Sequence, residues 1–369
     1  MKIDASGCDD RPLVIATTRT KRIKRESIFL QYSFFACMNI CMLLAFFTSR
    51  LGGSKGFVDG NKAIWYFAIP LLYLEAGLLC EPRALLDCLR DGYLLSFLLG
   101  FVYGLAPTLC SLGNRLLDAL GVNRRLLDGV EVLHCLPPPF STSLVLGRIA
   151  RADVPTSVVA LLTCRFAGLL ISPILLYVTL GATVPPMNEI NFRESVLGTL
   201  VPLAIGVSLR SILRHGPADS ALYKWAKMQE DGGSSKHRTM WLPKGLELFI
   251  AYNLFCDAFS IDAASMHPGD ILLCVLVACA SQMIVTGLCW TLCNGWLKQS
   301  QDVLLASVFA CTYKSVGYGG WLVRTAFGHG GAAAPTADRY RVAALDLPLA
   351  ILTVAQLLLG SLLACWMSS

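Results

Sequence analysis

Residues 131–143 read Glu131-Val132-Leu133-His134-Cys135-Leu136-Pro137-Pro138-Pro139-Phe140-Ser141-Thr142-Ser143. They sit inside an apolar run, 126–146, of the length a membrane helix needs. Three consecutive prolines remove three backbone donors and forbid a regular helix there. Three hydroxyl residues follow at once. In hydrocarbon every backbone polar group must be satisfied, so such a break survives only when buried in protein or lining a wet cavity. Broken helices near the bilayer midplane are where many secondary transporters hold substrate. The stretch therefore reads as half of a binding site.

The rest of the chain sets that break in a membrane. Of 369 residues, 55% are hydrophobic and 15% charged, and the mean hydropathy is +0.58. A soluble domain carries more charge. Apolar runs of roughly twenty residues recur throughout, so the expected class is an all-α, polytopic membrane protein. About ten spans are expected, over 28–48, 63–80, 93–113, 126–146, 155–180, 196–213, 245–261, 271–297, 303–327 and 342–367. The net charge of +6 is concentrated in a few loops, which points to membrane orientation and not to nucleic acid. Most of the 15 cysteines lie in apolar runs and behave as small hydrophobes, so neither a metal site nor a disulfide framework is expected.

Basic residues orient the chain. Arg19, Lys21, Arg22, Lys24 and Arg25 lie in an N-terminal arm, residues 1–27. Arg210, Arg214, Lys224, Lys227, Lys236, Arg238 and Lys244 cluster around the 214–244 loop, which also holds the flexible tract Gly232-Gly233-Ser234-Ser235. With ten spans, both segments share the side of the two termini, and the positive-inside rule makes that side cytoplasmic. The arm lacks a signal-peptide cleavage site, so the first span is expected to stay in place.

The fourth span has a counterpart. About 180 residues after Pro137–Pro139, the ninth breaks at Lys314-Ser315-Val316-Gly317-Tyr318-Gly319-Gly320. Glu75 on the second span has Asp257 on the seventh at a similar separation, and the fifth and tenth carry Pro173 and Pro348. Two halves with an odd number of spans insert upside down relative to each other, which is the inverted-repeat plan. The expected organisation is a first five-helix repeat over 28–180, a short loop and sixth span over 181–213, the 214–244 loop, and the remaining spans of the second repeat over 245–367.

Ionisable groups within spans need a partner or a wet cavity. Glu75, Glu131, Arg165, Asp257 and Lys314 are the candidates, either for a polar cavity at the repeat interface or for salt bridges that fix helix register. Lys314 lies on the broken segment itself. It could attract an anion beside two positive helix ends, carry a proton, or replace a bound cation between the half-helices. Arg165 could satisfy carbonyls freed by the prolines. His134 reads as a packed residue. Ser141, Thr142, Ser143, Thr312 and Ser315 could bind substrate or bond back to helical carbonyls. Gln282 and Gln356 could bridge helices. The expected substrate site comprises Pro137, Pro138, Pro139, Ser141, Thr142, Ser143, Thr312, Lys314, Ser315 and Gly317, with Glu75 and Asp257. An enzyme is not expected: there is no His-Glu-x-x-His pair, no paired catalytic aspartates and no serine with an evident His partner.

At these motifs the chain resembles the sodium/bile acid cotransporter 7-like family, of solute carrier family 10 type. Leu136-Pro137-Pro138-Pro139-Phe140-Ser141-Thr142-Ser143 is similar to its triple-proline motif, and Phe255-Cys256-Asp257-Ala258-Phe259-Ser260 to its Phe-Cys-Asp-x-Phe-Ser. Cys311-Thr312-Tyr313-Lys314-Ser315 resembles its Cys-Ser-Thr-His-Lys-Ser region, with Tyr313 where His is usual. Ala355-Gln356-Leu357-Leu358-Leu359-Gly360-Ser361 resembles its closing motif. The resemblance implies a ten-helix fold in which the first, second, sixth and seventh spans form a panel and the other six a core where spans four and nine cross. Glu75 and Asp257 would then face that crossing from the panel.

The resemblance also implies a link to cellular calcium homeostasis and to the plasma membrane or the secretory pathway, endoplasmic reticulum or Golgi. Lys314 stands where sodium-coupled relatives use acidic and amide side chains. Glu75 replaces Asn, Val207 replaces Gln, and Arg165 replaces a small residue. These departures count against sodium coupling and bile acid transport, and no cofactor is expected. The expected function is a carrier moving a small organic anion by alternating access, with the lipid bilayer and that substrate as partners. The alternative is a non-transporting membrane regulator of calcium signalling with calcium-signalling partners.

Overall fold

The structure is a computed structural model that describes residues 32–49, 51–52, 60–181, 193, 195–214, 241–260, 268–316, 318–319 and 336–368. The basic arm 1–27, most of the 214–244 loop and Gly317 lie outside the described residues. The described chain is helical throughout, with no strand among those residues.

The helices in chain order begin with α1 (Tyr32–Phe47) and α2 (residues 60–79, running through a π-turn at Ile64–Ala68). Then come α3 (Pro82–Arg90), α4 (Gly92–Ala119), α5 (Arg124–His134), α6 (Thr142–Ile149) and α7 (Val154–Leu180). The second half holds α8 (Val196–Leu213), α9 (Trp241–Phe259), α10 (Ile271–Leu297), α11 (Gln301–Thr312) and α12 (Thr336–Ser368).

Among the described residues, five helices are long and apolar enough to cross a bilayer: α4, α7, α8, α10 and the Leu347–Met367 part of α12. A sixth is reached if Ile64–Leu79 and α3, bent by 98°, count as one broken span. Helices α1 and α11 are apolar but shorter. The 126–146 run is two helices, α5 and α6, on either side of the prolines. Helix α3 was not foreseen. Its start is set by Pro82 and its end by Asp91, which caps α4 by accepting from Leu94 N–H at 3.0 Å. Its polar, charged composition fits a helix lying at a membrane surface.

Local chemistry fixes the long helices. Asp153 caps α7 by accepting from Thr156 N–H (2.9 Å), Pro155 occupies the first turn, and Gly181 ends it at φ 64°. Large apolar side chains face outward on α1, α8 and α10, among them Phe47, Ile212, Leu272 and Ile284. Such a surface is stable in lipid and not in water.

Helices α2 and α8 form the most extensive helix pair. Gly77 and Gly206 meet there, and a methyl on either would strike backbone atoms of the other helix: Leu203 O for Gly77, Leu74 O for Gly206. Small residues allow membrane helices to approach this closely. Backbone cannot rotate aside, so Gly206→Ala is expected to lower thermal stability by about 1–3 kcal/mol. Thermal unfolding of the detergent-purified variant checks this. An unchanged midpoint would contradict the contact.

Candidate functional site

The break after α5 begins with a tightened turn, in which Cys135 N–H donates to Val132 O (3.1 Å) and Leu136 N–H to Leu133 O (3.2 Å). Pro137–Pro139 cannot donate, so the chain leaves the helix and the carbonyls of the last turn lose their partners. The second break follows Thr312, where Tyr313 is extended (φ −86°, ψ 146°). The two breaks meet. Ser315 N–H donates to Pro137 O at 2.8 Å, a backbone bond that crosses from one broken segment to the other.

Lys314 supplies the missing donors. Its Nζ reaches His134 O (3.1 Å), Leu136 O (3.0 Å) and Val102 O (3.3 Å). An ammonium has three donors, and all three are engaged. Lys314 is 2% exposed. Its backbone is held from the far side by Gln356, whose amide lies 3.1 Å from Lys314 N and 3.2 Å from Lys314 O when oriented to satisfy both. In that orientation the Gln356 oxygen lies 3.2 Å from the Gln282 amide, which can donate to it once its own amide is turned the same way, so the two glutamines link α10 and α12 behind the break. Tyr313 stacks on Phe309 (5.5 Å).

Arg165, on α7, does not satisfy the freed carbonyls; Lys314 does. The Arg165 guanidinium carbon lies 4.6 Å from the Phe140 ring centroid and 4.4 Å from that of Tyr318. The cation is sandwiched between an aromatic ring from each broken segment. It is 2% exposed, and its Nε and NH1 have no hydrogen-bond partner. Phe140 is held by Tyr73, whose hydroxyl donates to Phe140 O (3.2 Å), and by edge contact with Trp65. Gly168, one turn on from Arg165, leaves room for Pro137, where a methyl would overlap the proline ring.

These groups border a cavity of about 430 Å³. Its polar wall includes Ser141, Thr142, Arg165, Lys314, Ser315 and Gln356; its apolar wall includes Trp65, Tyr66, Phe140 and Tyr318. That volume suits a small molecule. Of the residues expected at the site, Pro139, Ser141, Thr142, Lys314 and Ser315 border the cavity. Pro137 and Pro138 lie behind it in the break. Ser143 is buried with an unpartnered hydroxyl, and Thr312 donates back to Val308 O (2.9 Å). Gly317 is outside the described residues.

Glu75 and Asp257 sit elsewhere. Asp257 is half-buried at the end of α9, away from the cavity. Glu75 faces Arg148 of α6 in a two-point pair: NH2 lies 2.9 Å from Oε1, and NH1 contacts Oε2. Both side chains are under 8% exposed, at 6% and 7%. Sequence reading passed over Arg148 because it follows the hydroxyl run at what looked like the end of a span. Its spacing from the break, which carries it back into the protein on α6, was the available signal. Removing one charge of a buried pair strands the other, at a cost of about 3–5 kcal/mol. Glu75→Gln is therefore expected to lower thermal stability by that order, and the double change Glu75→Gln with Arg148→Gln to recover much of it. Equal losses in the single and double variants would contradict the pairing.

A further acid was not foreseen. Glu247 on α9 is 0% exposed, and neither carboxylate oxygen has a hydrogen-bond partner. Its polar neighbours are the hydroxyls of Thr142 and Ser141.

The chain matches the SBF-like CPA transporter family over residues 32–369. It is 25% identical over 326 residues to sodium/bile acid cotransporter 7 of Rattus norvegicus, covering 86% of this chain and 88% of the relative. The Xenopus tropicalis sodium/bile acid cotransporter 7 is similar to the same extent. The Gallus gallus sodium/bile acid cotransporter 7 is 23% identical over 343 residues, covering 91% of this chain and 92% of the relative. The family is one of transporters and not of enzymes. A protein with several bilayer-length apolar helices, two broken segments joined backbone to backbone and a full-length match of this kind is a multi-pass membrane protein of transporter type. The chain belongs to the SBF-like CPA transporter family.

Proposed function

We propose that this protein is a secondary carrier that moves a small organic anion by alternating access. The observation that carries the reading is the Arg165 guanidinium. It is buried at the cavity wall, with two nitrogens unpartnered and, among the described residues, no acidic side chain beside it. A buried charge without a countercharge is costly. An anion with a planar, oxygen-bearing head would relieve that cost by accepting from the guanidinium. The aromatic wall would pack the organic remainder.

In this reading the chain is a ten-helix inverted repeat. The segment α5–α6 is the fourth span, and α11 with the residues beyond its break is the ninth. Support comes from the similar spacing of the breaks in the two halves and from the Ser315–Pro137 bond that joins them. Helices α2 and α8, locked through Gly77 and Gly206, belong to the panel against which the core rocks. Lys314 stands in for a bound cation: its ammonium ties three main-chain carbonyls together, a role that unwound helices in other carriers give to sodium. Sodium coupling is therefore not part of the proposal. The termini are cytoplasmic, on the charge argument already given.

The link to calcium homeostasis enters as an indirect one. Among the described residues no three His, Cys, Asp or Glu side chains gather as a divalent-ion site, and calcium is not proposed as cargo. The test is counterflow in proteoliposomes preloaded with small carboxylates, sulfonates, sulfate and phosphate esters, with and without a sodium gradient. Saturable counterflow of at least one anion, without a sodium requirement, is expected. Counterflow of none from folded protein would retire the carrier and leave the non-transporting regulator.

A further inference from the structure

We infer that Glu247 is a proton-binding site linked to the anion cavity through the hydroxyls of Ser141 and Thr142, so that the carrier takes up one proton with each anion. The inference rests on the anion-carrier reading above.

The geometry supplies each link. Glu247 is completely buried, and both of its carboxylate oxygens lack hydrogen-bond partners. The elements packed on α9 include α12, the Ile64–Ala68 π-turn and α6, and also α1 with Thr48, through Phe46 on Phe259 and Thr48 on Tyr252. Among the side chains described, their titratable groups are Tyr32, Cys37 and Cys41 on α1, Tyr66, Arg148 and Cys365. Tyr66 is 68% exposed and Arg148 is held by Glu75, and none of these groups makes a hydrogen bond to Glu247. Lys62 and Arg165 border the neighbouring cavity, and among the described residues the polar neighbours of Glu247 are Thr142 and Ser141. A buried carboxylate without a countercharge is neutralised by a proton instead of remaining ionised. The same two hydroxyls line the anion cavity, whereas Glu247 does not. They are shared between two sites.

A hydroxyl has one proton to donate and two lone pairs to accept with. When Glu247 is protonated, its O–H donates to one of these hydroxyl oxygens, and the hydroxyl protons are free to turn toward an anion in the cavity. When Glu247 loses its proton, both hydroxyls turn to the carboxylate and present lone pairs to the cavity. The anion then loses two donors and meets a second negative charge. Proton and anion therefore favour each other's binding, by the same factor in both directions. The proton comes from water on the side where the anion enters and returns to water where the anion leaves. No bond other than the O–H forms or breaks.

Two readouts test this. The first needs no substrate: infrared difference spectra of purified wild type against Glu247→Gln across pH. A protonated-carboxyl C=O band at neutral pH that is absent from the variant is expected; its absence from wild type would mean an ionised Glu247 and would overturn the inference. The second is counterflow of the anion pool with an inward proton gradient. Wild type should accumulate anion on the order of tenfold over the symmetric condition, and Glu247→Gln should show no response to the gradient. Gradient-insensitive transport by wild type, or an undiminished response in Glu247→Gln, would overturn the proton site while leaving the carrier intact. A carboxyl band with no anion flux at all would sink the carrier reading alone. Glu247→Asp, which keeps an ionisable group, serves if the Gln variant does not fold, and should retain both the band and the gradient response.

Discussion

Replacing Arg165 with Met is expected to abolish anion counterflow and, at the same time, to make the empty protein more stable. The two effects have opposite signs because the same charge has opposite consequences in the two states. In the empty cavity the guanidinium is desolvated, which costs several kcal/mol. Its contacts with Phe140 and Tyr318 return about 1–2 kcal/mol each. A Met of comparable length fills the slot between the rings without a charge, so the unliganded variant should gain roughly 1 kcal/mol or more. With an anion present, the missing partner should cost about 2–5 kcal/mol of affinity, which at about 1.4 kcal/mol per decade is roughly thirtyfold to several thousandfold. Arg165→Lys should not rescue transport, since a point charge on a flexible stem reproduces neither the planar fork nor the stacking. Thermal unfolding and counterflow measured on one preparation check both signs. A variant that loses stability while retaining flux would contradict the role given to Arg165.

The second large effect is expected at Lys314. Lys314→Met removes the donors from Val102 O, His134 O and Leu136 O in a place no water is needed to fill. Each stranded carbonyl costs about 1–3 kcal/mol, so the loss should reach several kcal/mol, enough to unfold a marginal protein. Lys314→Ala is more informative because it leaves room. Carbonyls released by a helix break coordinate sodium in other carriers. Lys314→Ala should therefore be stabilised when choline chloride is replaced by sodium chloride, by mass action on a site that wild type lacks. Wild type should show no such dependence. A Lys314→Ala protein as stable as wild type in choline chloride would mean that the ammonium does not hold the breaks together.

Much of this arrangement is legible in the sequence. The prolines at 137–139 lack N–H groups, and that chemistry does not depend on context, so a break has to follow; its partner, expected over Lys314–Gly320, lies at Tyr313–Ser315, with helix again at Val316. Lys314 was singled out because a charge on a broken segment needs many acceptors. What it would bind was not legible, since that depends on which carbonyls point inward. Arg165 was misassigned for a related reason. Sequence alone does not say whether a cation on a continuous helix turns toward freed carbonyls or toward rings, and Phe140 and Tyr318 come within 5 Å only after both breaks have formed.

Arg148 and Glu247 were passed over because each stands near the end of an apolar run, next to other polar residues, where an ion is ordinarily solvated. The fold buries both: α6 carries Arg148 back to α2, and α9 packs Glu247 against the start of α6. The two broken segments also defeat a count by length, because a broken segment is never a long helix.

In the proposed carrier, two broken segments enclose an anion cavity that opens in turn to each side of the membrane. The most direct measurement is the reactivity of Ser315→Cys, whose side chain borders that cavity and is partly exposed in it, toward a membrane-impermeant anionic thiol reagent. It should be carried out in right-side-out and inside-out vesicles against the same protein with Ser315 intact. Modification from both sides, slowed by the anion that shows counterflow and lost with Arg165→Met, is the predicted result. Modification from neither side, or at a rate no anion alters, would contradict it.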